Sequence, residues 1–223
     1  MTINPSKLFF VAVAALLLTG CASKVRYPDY YMLAVAPSKD PPANESHPLP
    51  SIAVQRFETP GYLRQGRIVY RESPERVGFY DYHRWASDPA QTVTEAMIEN
   101  LRASGAFCTV ASYDAQEHAS YLLRGRLERL DEVDYENGVQ VEVSLSAELL
   151  NAKTGAPVWA GETRKTTVVD KRDMDSVVYA MGQVTQEAID QLVQEMGKQL
   201  FAATTTTEGS AIWAAEKPAG RVK

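Results

Sequence analysis

Two cysteines and three histidines in 223 residues leave little room for metal or thiol chemistry. His47, His83 and His118 stand far apart, and no pair has metal-ligand spacing. The chain holds no G-x-S-x-G, no glycine-rich phosphate loop and no H-E-x-x-H. The members of a Ser-His-Asp constellation need not be sequence neighbours, but nothing points to one. The expectation is therefore no enzyme, no metal and no cofactor. Positive charge is also short: 23 Lys and Arg face 28 Asp and Glu, a formal net charge of −5. That balance gives no electrostatic footprint for nucleic acid and does not suit broad adhesion to anionic lipid. The one apolar run, Leu8 to Leu18, is shorter than the roughly 20 residues that span a bilayer core.

That short run has a different use. Lys7 precedes it and small residues follow, the layout of a secretory signal peptide. The segment ends in Leu18-Thr19-Gly20-Cys21, which resembles the bacterial lipobox: leucine, a small or hydroxylated residue, glycine, cysteine. The resemblance implies cleavage before Cys21 and acylation of its sulfur. One myristoyl-length chain binds a membrane only marginally, whereas two or more hold firmly, at about 0.8 kcal/mol per buried methylene. A lipoprotein of this type carries three. Ala22, where an aspartate favours inner-membrane retention, resembles an outer-membrane address. The expected organisation is a signal peptide over 1–20, a lipidated tether over 21–29, one domain over 30–202 and a disordered tail over 203–223. With Cys21 acylated, Cys108 is left without a disulfide partner, so the core must hold the fold. Phe107 and Val110 beside it predict that Cys108 is a small core residue.

Periodicity predicts the elements. Strands are expected at Tyr30–Val35, Ser51–Phe57 and Phe107–Tyr113, and a hairpin joins Arg67–Glu72 to Val77–Trp85. Ser87 or Asp88 caps a helix that Pro89 opens, with Ala90, Val93, Met97 and Leu101 as its apolar stripe and Gly105 as its stop. From Ser120 to Val169 the pattern is a three-strand meander. Val139, Val141, Val143, Leu145, Ala147 and Leu149 face one way, and Gln140, Glu142, Ser144, Ser146 and Glu148 the other. Asn137-Gly138 suits a type I′ turn. Asp131, Glu132, Asp134 and Glu136 around it read as a solvated hairpin end rather than a calcium loop. A second helix carries Val177, Met181, Val184, Ala188, Leu192, Met196 and Leu200 on one stripe, with Asp173 or Asp175 as cap. Together these predict an α+β fold: a two-layer sandwich of a mostly antiparallel sheet with both helices on one face.

Between Thr59 and Trp85 the sequence mixes Tyr62, Tyr70, Tyr80, Tyr82 and Trp85 with five arginines. Two readings stand side by side: aromatics and arginines of a protein interface, or aromatics turned into the core and arginines into water. "TPGYLRQGRIVYRE" and "YHRWASDPAQTVTEAMIENLRASGAF" are similar to segments of the ABC-type transport auxiliary lipoproteins, the PqiC-like group. The matching positions are Pro60, Tyr62 and Leu63; Ile68, Val69, Tyr70 and Arg71; and Arg84, Trp85 and Ala86. The resemblance implies a non-enzymatic component of an intermembrane lipid-transport system. It would sit at the periplasmic face of the outer membrane, as a ring of like subunits, and dock the periplasm-spanning MCE-domain protein. Tyr62, Leu63, Tyr70, Arg71, Arg84 and Trp85 are the candidate contacts. The alternatives are a structural assembly lipoprotein for another envelope complex and, least favoured, a lipid hydrolase.

Overall fold

The computed structural model describes residues 26–36, 49–115, 119–134 and 138–215, with side chains up to Ala202 except at Ala115. The signal peptide, Cys21, His47, His118, most of the proline-rich loop and the tip of the Asn137 hairpin lie outside the described residues. Among the described residues the chain forms eight strands: β1 (Asp29–Tyr31), β2 (Ile52–Val54), β3 (Arg67–Ser73), β4 (Arg76–Trp85), β5 (Val110–Ser112), β6 (Tyr121–Val133), β7 (Gln140–Asn151) and β8 (Pro157–Val168). The same residues include the helices α1 (Pro89–Ala103) and α2 (Met174–Ala215).

The fold is α+β, but its sheet is mixed. The meander β6–β7–β8 is antiparallel throughout and carries the longest registers. The β3–β4 hairpin is antiparallel too. The parallel pairings, β1–β4, β2–β5, β2–β6 and β3–β6, were not expected and are each three residues long. They follow from how β6 is shared. β7 occupies one edge of β6 along its whole length. On the other edge β2 pairs with Tyr121–Leu123 and β3 with Asp131–Val133. The sheet therefore forks at β6. Between the two branches a bulge interrupts the register at Glu128.

The alternation on β7 places Val139, Val141, Val143, Leu145, Ala147 and Leu149 in the core. Its other face is drier than expected. Glu142 and Ser144 are buried, because Arg129 and Arg164 on the flanking strands reach across Glu142 at 3.0 and 3.5 Å. Every predicted stripe residue of both helices is buried. Asp88 caps α1 by accepting from the Ala90 amide (2.9 Å), with Pro89 at the first helical position. Asp173 caps α2 by accepting from the Ser176 amide (2.9 Å), which holds its carboxyl below the usual range. The helices meet where Gln186 donates to Asn100 Oδ1 (3.0 Å), on the same sheet face.

Three expectations are corrected. Strands β1, β2 and β5 are shorter than the apolar runs that contain them, because their partners pair only three residues. Cys108 is exposed: Phe107 and Val110 turn inward and leave the two residues between them outward. Helix α2 continues past Ala202 to Ala215, where a structureless tail was expected to begin. Its first turns are anchored by packing, no proline follows until Pro218, and threonine opposes propagation by only a few tenths of a kcal/mol per residue.

Gly182 costs α2 up to ~1 kcal/mol relative to alanine, and the structure shows what offsets that cost. The segment after β1 crosses α2 so closely that a Cβ on Gly182 would lie 2.2 Å from the Ala34 carbonyl oxygen. Leu33, one residue before, is buried. Gly182→Ala should therefore displace the segment and destabilise the domain by about 1–3 kcal/mol. A urea denaturation midpoint that rises instead would show that the crossing is loose.

Candidate docking site at the β3–β4 hairpin

A one-turn 3₁₀ helix, Leu63–Gln65, leads into β3 through Gly66, whose φ of 69° is a left-handed conformation that glycine adopts without strain. The Gly66 carbonyl accepts from the Trp85 amide (2.9 Å), tying the start of β3 to the end of β4. Leu63 is buried under the turn. Tyr62 spans the fork of the sheet: its hydroxyl donates to the carbonyl of Glu128, the bulge residue of β6 (3.1 Å).

Asp131 pairs in register with Glu142, whose neighbours Val141 and Val143 line the core, so Asp131 faces away from the helices. It is nonetheless fully buried. Arg71 donates through Nε to Asp131 Oδ2 at 2.5 Å. The same guanidinium donates through Nη1 to the Pro74 carbonyl (3.2 Å) and through Nη2 to the Tyr62 hydroxyl (3.4 Å), and lies 5.6 Å from the Tyr62 ring centroid. Asp131 Oδ1 has no hydrogen-bond partner among the described residues. Burial pushes the Asp131 carboxyl above the usual range, and Arg71 opposes that shift. Burial disfavours the Arg71 charge, but the hydrogen bond and charge of Asp131 outweigh it and raise the pKa. Burial and the Asp131 charge also raise the Tyr62 hydroxyl.

Glu132 points the other way, toward the helices, and is equally buried. Its carboxylate accepts from the Tyr80 hydroxyl at 2.8 Å. Burial raises the Glu132 carboxyl, and burial with the Glu132 bond raises the Tyr80 hydroxyl. Tyr70 lies across Gly78 on the partner strand, so closely that a Cβ there would meet the ring. Tyr70, Tyr80, His83 and Tyr31 form a row of rings with successive centroids 5.0, 5.5 and 5.5 Å apart. Arg172, just before α2, pairs with Asp134.

The acidic stretch at 131–134 is thus not a solvated hairpin end. β3 covers the edge of β6 there, and Arg71 and Tyr80 close over the two carboxylates. A Glu132→Gln substitution keeps an acceptor for Tyr80 and removes a buried charge. A carboxyl raised in the folded state binds more protons than in the unfolded state, so its contribution to stability is largest at low pH and falls as pH rises through the folded value. Glu132→Gln should remove that decline and stabilise the domain at pH 7 by about 1 kcal/mol. Urea midpoints measured from pH 4 to 7 check this, and a variant less stable at pH 7 would contradict it.

Of the six candidate contacts, Leu63, Arg71 and Trp85 are interior, so they support the hairpin from beneath. Tyr62, Tyr70 and Arg84 keep accessible surface. Sequence reasoning missed Asp131 and Glu132 as partners of this segment. The only signal was strand parity with β7, which places them on opposite faces, and it says nothing of β3. Among the described residues no cluster of three or more His, Cys, Asp or Glu is arranged to hold a metal ion. No described helix is long and apolar enough to cross a membrane.

The model of the family described as "ABC-type transport auxiliary lipoprotein component" matches residues 31–196, most of the described domain. The chain belongs to this family. The auxiliary lipoprotein also shares its fold with solved structures of low sequence identity. A protein from Xanthomonas campestris superposes with a TM-score of 0.70 at 16% identity, covering 79% of this chain and 99% of that one. An uncharacterized protein superposes with a TM-score of 0.60 at 17% identity, covering 77% and 99%. No curated protein matches the auxiliary lipoprotein by sequence.

Proposed function

We propose that this auxiliary lipoprotein is anchored in the outer membrane through acylated Cys21 and docks an MCE-domain protein that bridges the periplasm to an ABC transporter. It acts without catalysis, as one member of a ring of like copies. The observation that carries this reading is the pairing of a lipobox at residues 18–21 with a family match that begins ten residues later and runs through the domain. The hairpin supports a docking role. Arg71, held by Asp131 and by the Tyr62 hydroxyl, ties β3 to the 3₁₀ turn, and Tyr62 and Tyr70, on opposite faces of the hairpin, keep accessible surface with Arg84. Rigid aromatic and arginine side chains lose little entropy on binding, which suits them to such a surface.

Purification of the acylated chain from mildly solubilised membranes tests the assignment. An MCE-domain protein should be recovered with it, and the neighbouring reading frames should encode a permease, an ATPase and that protein. Recovery of a secretion or pilus complex instead would favour the structural assembly role. Turnover of ester substrates, abolished by one point change, would establish an enzyme and reject both.

A further inference from the structure

Four of the large hydrophobic side chains left in water are gathered at one end of the molecule, while Val158, at the start of β8, is exposed at the other. Two adjoining depressions, of about 580 and 550 Å³, share Asp175, Tyr179 and Gln183. Tyr30 and Met32 line the first, Val168 the second, and Tyr179 both. Met32 and Tyr179 are each 70% exposed, and Tyr30 and Val168 are above half. Burial of such residues is the rule, so a contiguous exposed set implies a surface they meet.

The same end is where the chain departs toward Cys21. Arg26, the first described residue, is five chain steps after Cys21. Fully extended, they span at most about 18 Å. An acylated Cys21 would therefore hold Arg26, at this end of the domain, within about 18 Å of the lipid headgroups. The opposite end is the β7–β8 turn near Lys153; β8 runs twelve residues from there to Val168, roughly 40 Å at 3.3 Å per residue.

Tyrosines with an apolar body and a polar tip are the side chains that settle at a bilayer interface. The charges around the patch are mixed. Asp29, Asp170, Asp173 and Asp175 stand against Arg26, Lys171 and Arg172, and that balance gives no attraction to an anionic surface.

We propose that Tyr30, Met32, Val168 and Tyr179 form a membrane-seating patch that rests in the zwitterionic headgroup layer and fixes the domain's orientation on the bilayer. This rests on the acylation of Cys21 but goes beyond it. The acyl chains supply attachment, and the patch supplies orientation. The β3–β4 hairpin is then presented at a set angle rather than swung on a free tether.

The test uses the full acylated chain with Cys108→Ser, so that single cysteines introduced as Met32→Cys, Tyr179→Cys or Lys153→Cys carry an environment-sensitive fluorophore. The protein is placed on phosphatidylethanolamine–phosphatidylcholine vesicles with nitroxide-bearing headgroup lipids. Labels at 32 and 179 should shift to the blue and lose fluorescence to the nitroxide, while the label at 153 does neither. Added phosphatidylglycerol should not strengthen the effect. If the protein pellets with vesicles but labels at 32 and 179 are unquenched, the patch does not touch lipid, and this inference falls while the anchor stands. Shielding of 32 and 179 in detergent that rises with protein concentration and ignores nitroxide would assign the patch to a second copy of the chain and overturn the inference. A chain that does not pellet with vesicles at all overturns the anchor and this inference together.

Discussion

Arg71→Met destabilises the domain by about 3–5 kcal/mol, because it strands Asp131 as an uncompensated charge in the interior. Methionine fills much of the arginine's volume, so the loss reports the charge more than a cavity. Asp131 has Oδ1 without a partner among the described residues, and Arg71 Nε is the hydrogen bond on its other oxygen. Without that bond the carboxyl, already raised by burial, rises further. The penalty then shrinks as pH falls and Asp131 takes up a proton. The double variant Arg71→Met, Asp131→Leu removes both charges and should recover most of the loss, since buried ion pairs replaced by apolar residues of similar size cost little or are stabilising. Urea denaturation at pH 7 and pH 5 measures all three proteins. A single variant within 1 kcal/mol of the parent, or a double variant no better than the single, would show that the pair is not the strut of the hairpin.

Cys21→Ser should move the protein from the membrane to the soluble periplasmic fraction almost completely. The sulfur is the atom that carries the acyl groups in a lipobox precursor, and several chains at about 0.8 kcal/mol per methylene account for nearly all the membrane affinity. The seating patch has too few side chains to hold the protein alone. The folded domain should keep its denaturation midpoint, because the family match begins at residue 31, ten residues past Cys21. Fractionation together with mass spectrometry of the N-terminal peptide gives the readout. A serine variant that stays with the membrane, or a parent whose mature N-terminus bears an unmodified thiol, would contradict the anchor.

The meander and both helices were legible because their signals are local. Strict alternation from Val139 to Leu149 and the stripe from Val177 to Leu200 each report one buried face, and all of those apolar residues are interior. Capping was equally local: Asp88 and Asp173 accept from amides two and three residues on. What the sequence hid is non-local. Nothing in "RIVYRE" says that Arg71 meets Asp131 sixty residues later, so the acids of β6 read as a wet hairpin end. The short parallel pairings arise only because β6 is shared between two branches. Gly182 announced a packing constraint without naming Ala34 as its cause. In the candidate site, the mixture of aromatics and arginine left core and interface equally open. The structure divides it, with Leu63, Arg71 and Trp85 inside and Tyr62, Tyr70 and Arg84 retaining surface.

Site-specific photocrosslinking in intact cells tests the docking role most directly. Gln65 is exposed in the 3₁₀ turn beside Tyr62, and its neighbour Gly66 is bonded to Trp85. A photoreactive residue there reaches the hairpin surface without disturbing the Arg71–Asp131 pair. The adduct should contain the MCE-domain protein, and Arg71→Met should abolish it while the protein remains acylated. Adducts with unrelated proteins alone, or an MCE adduct formed equally from Lys153 at the far end of the sheet, would contradict docking through this hairpin.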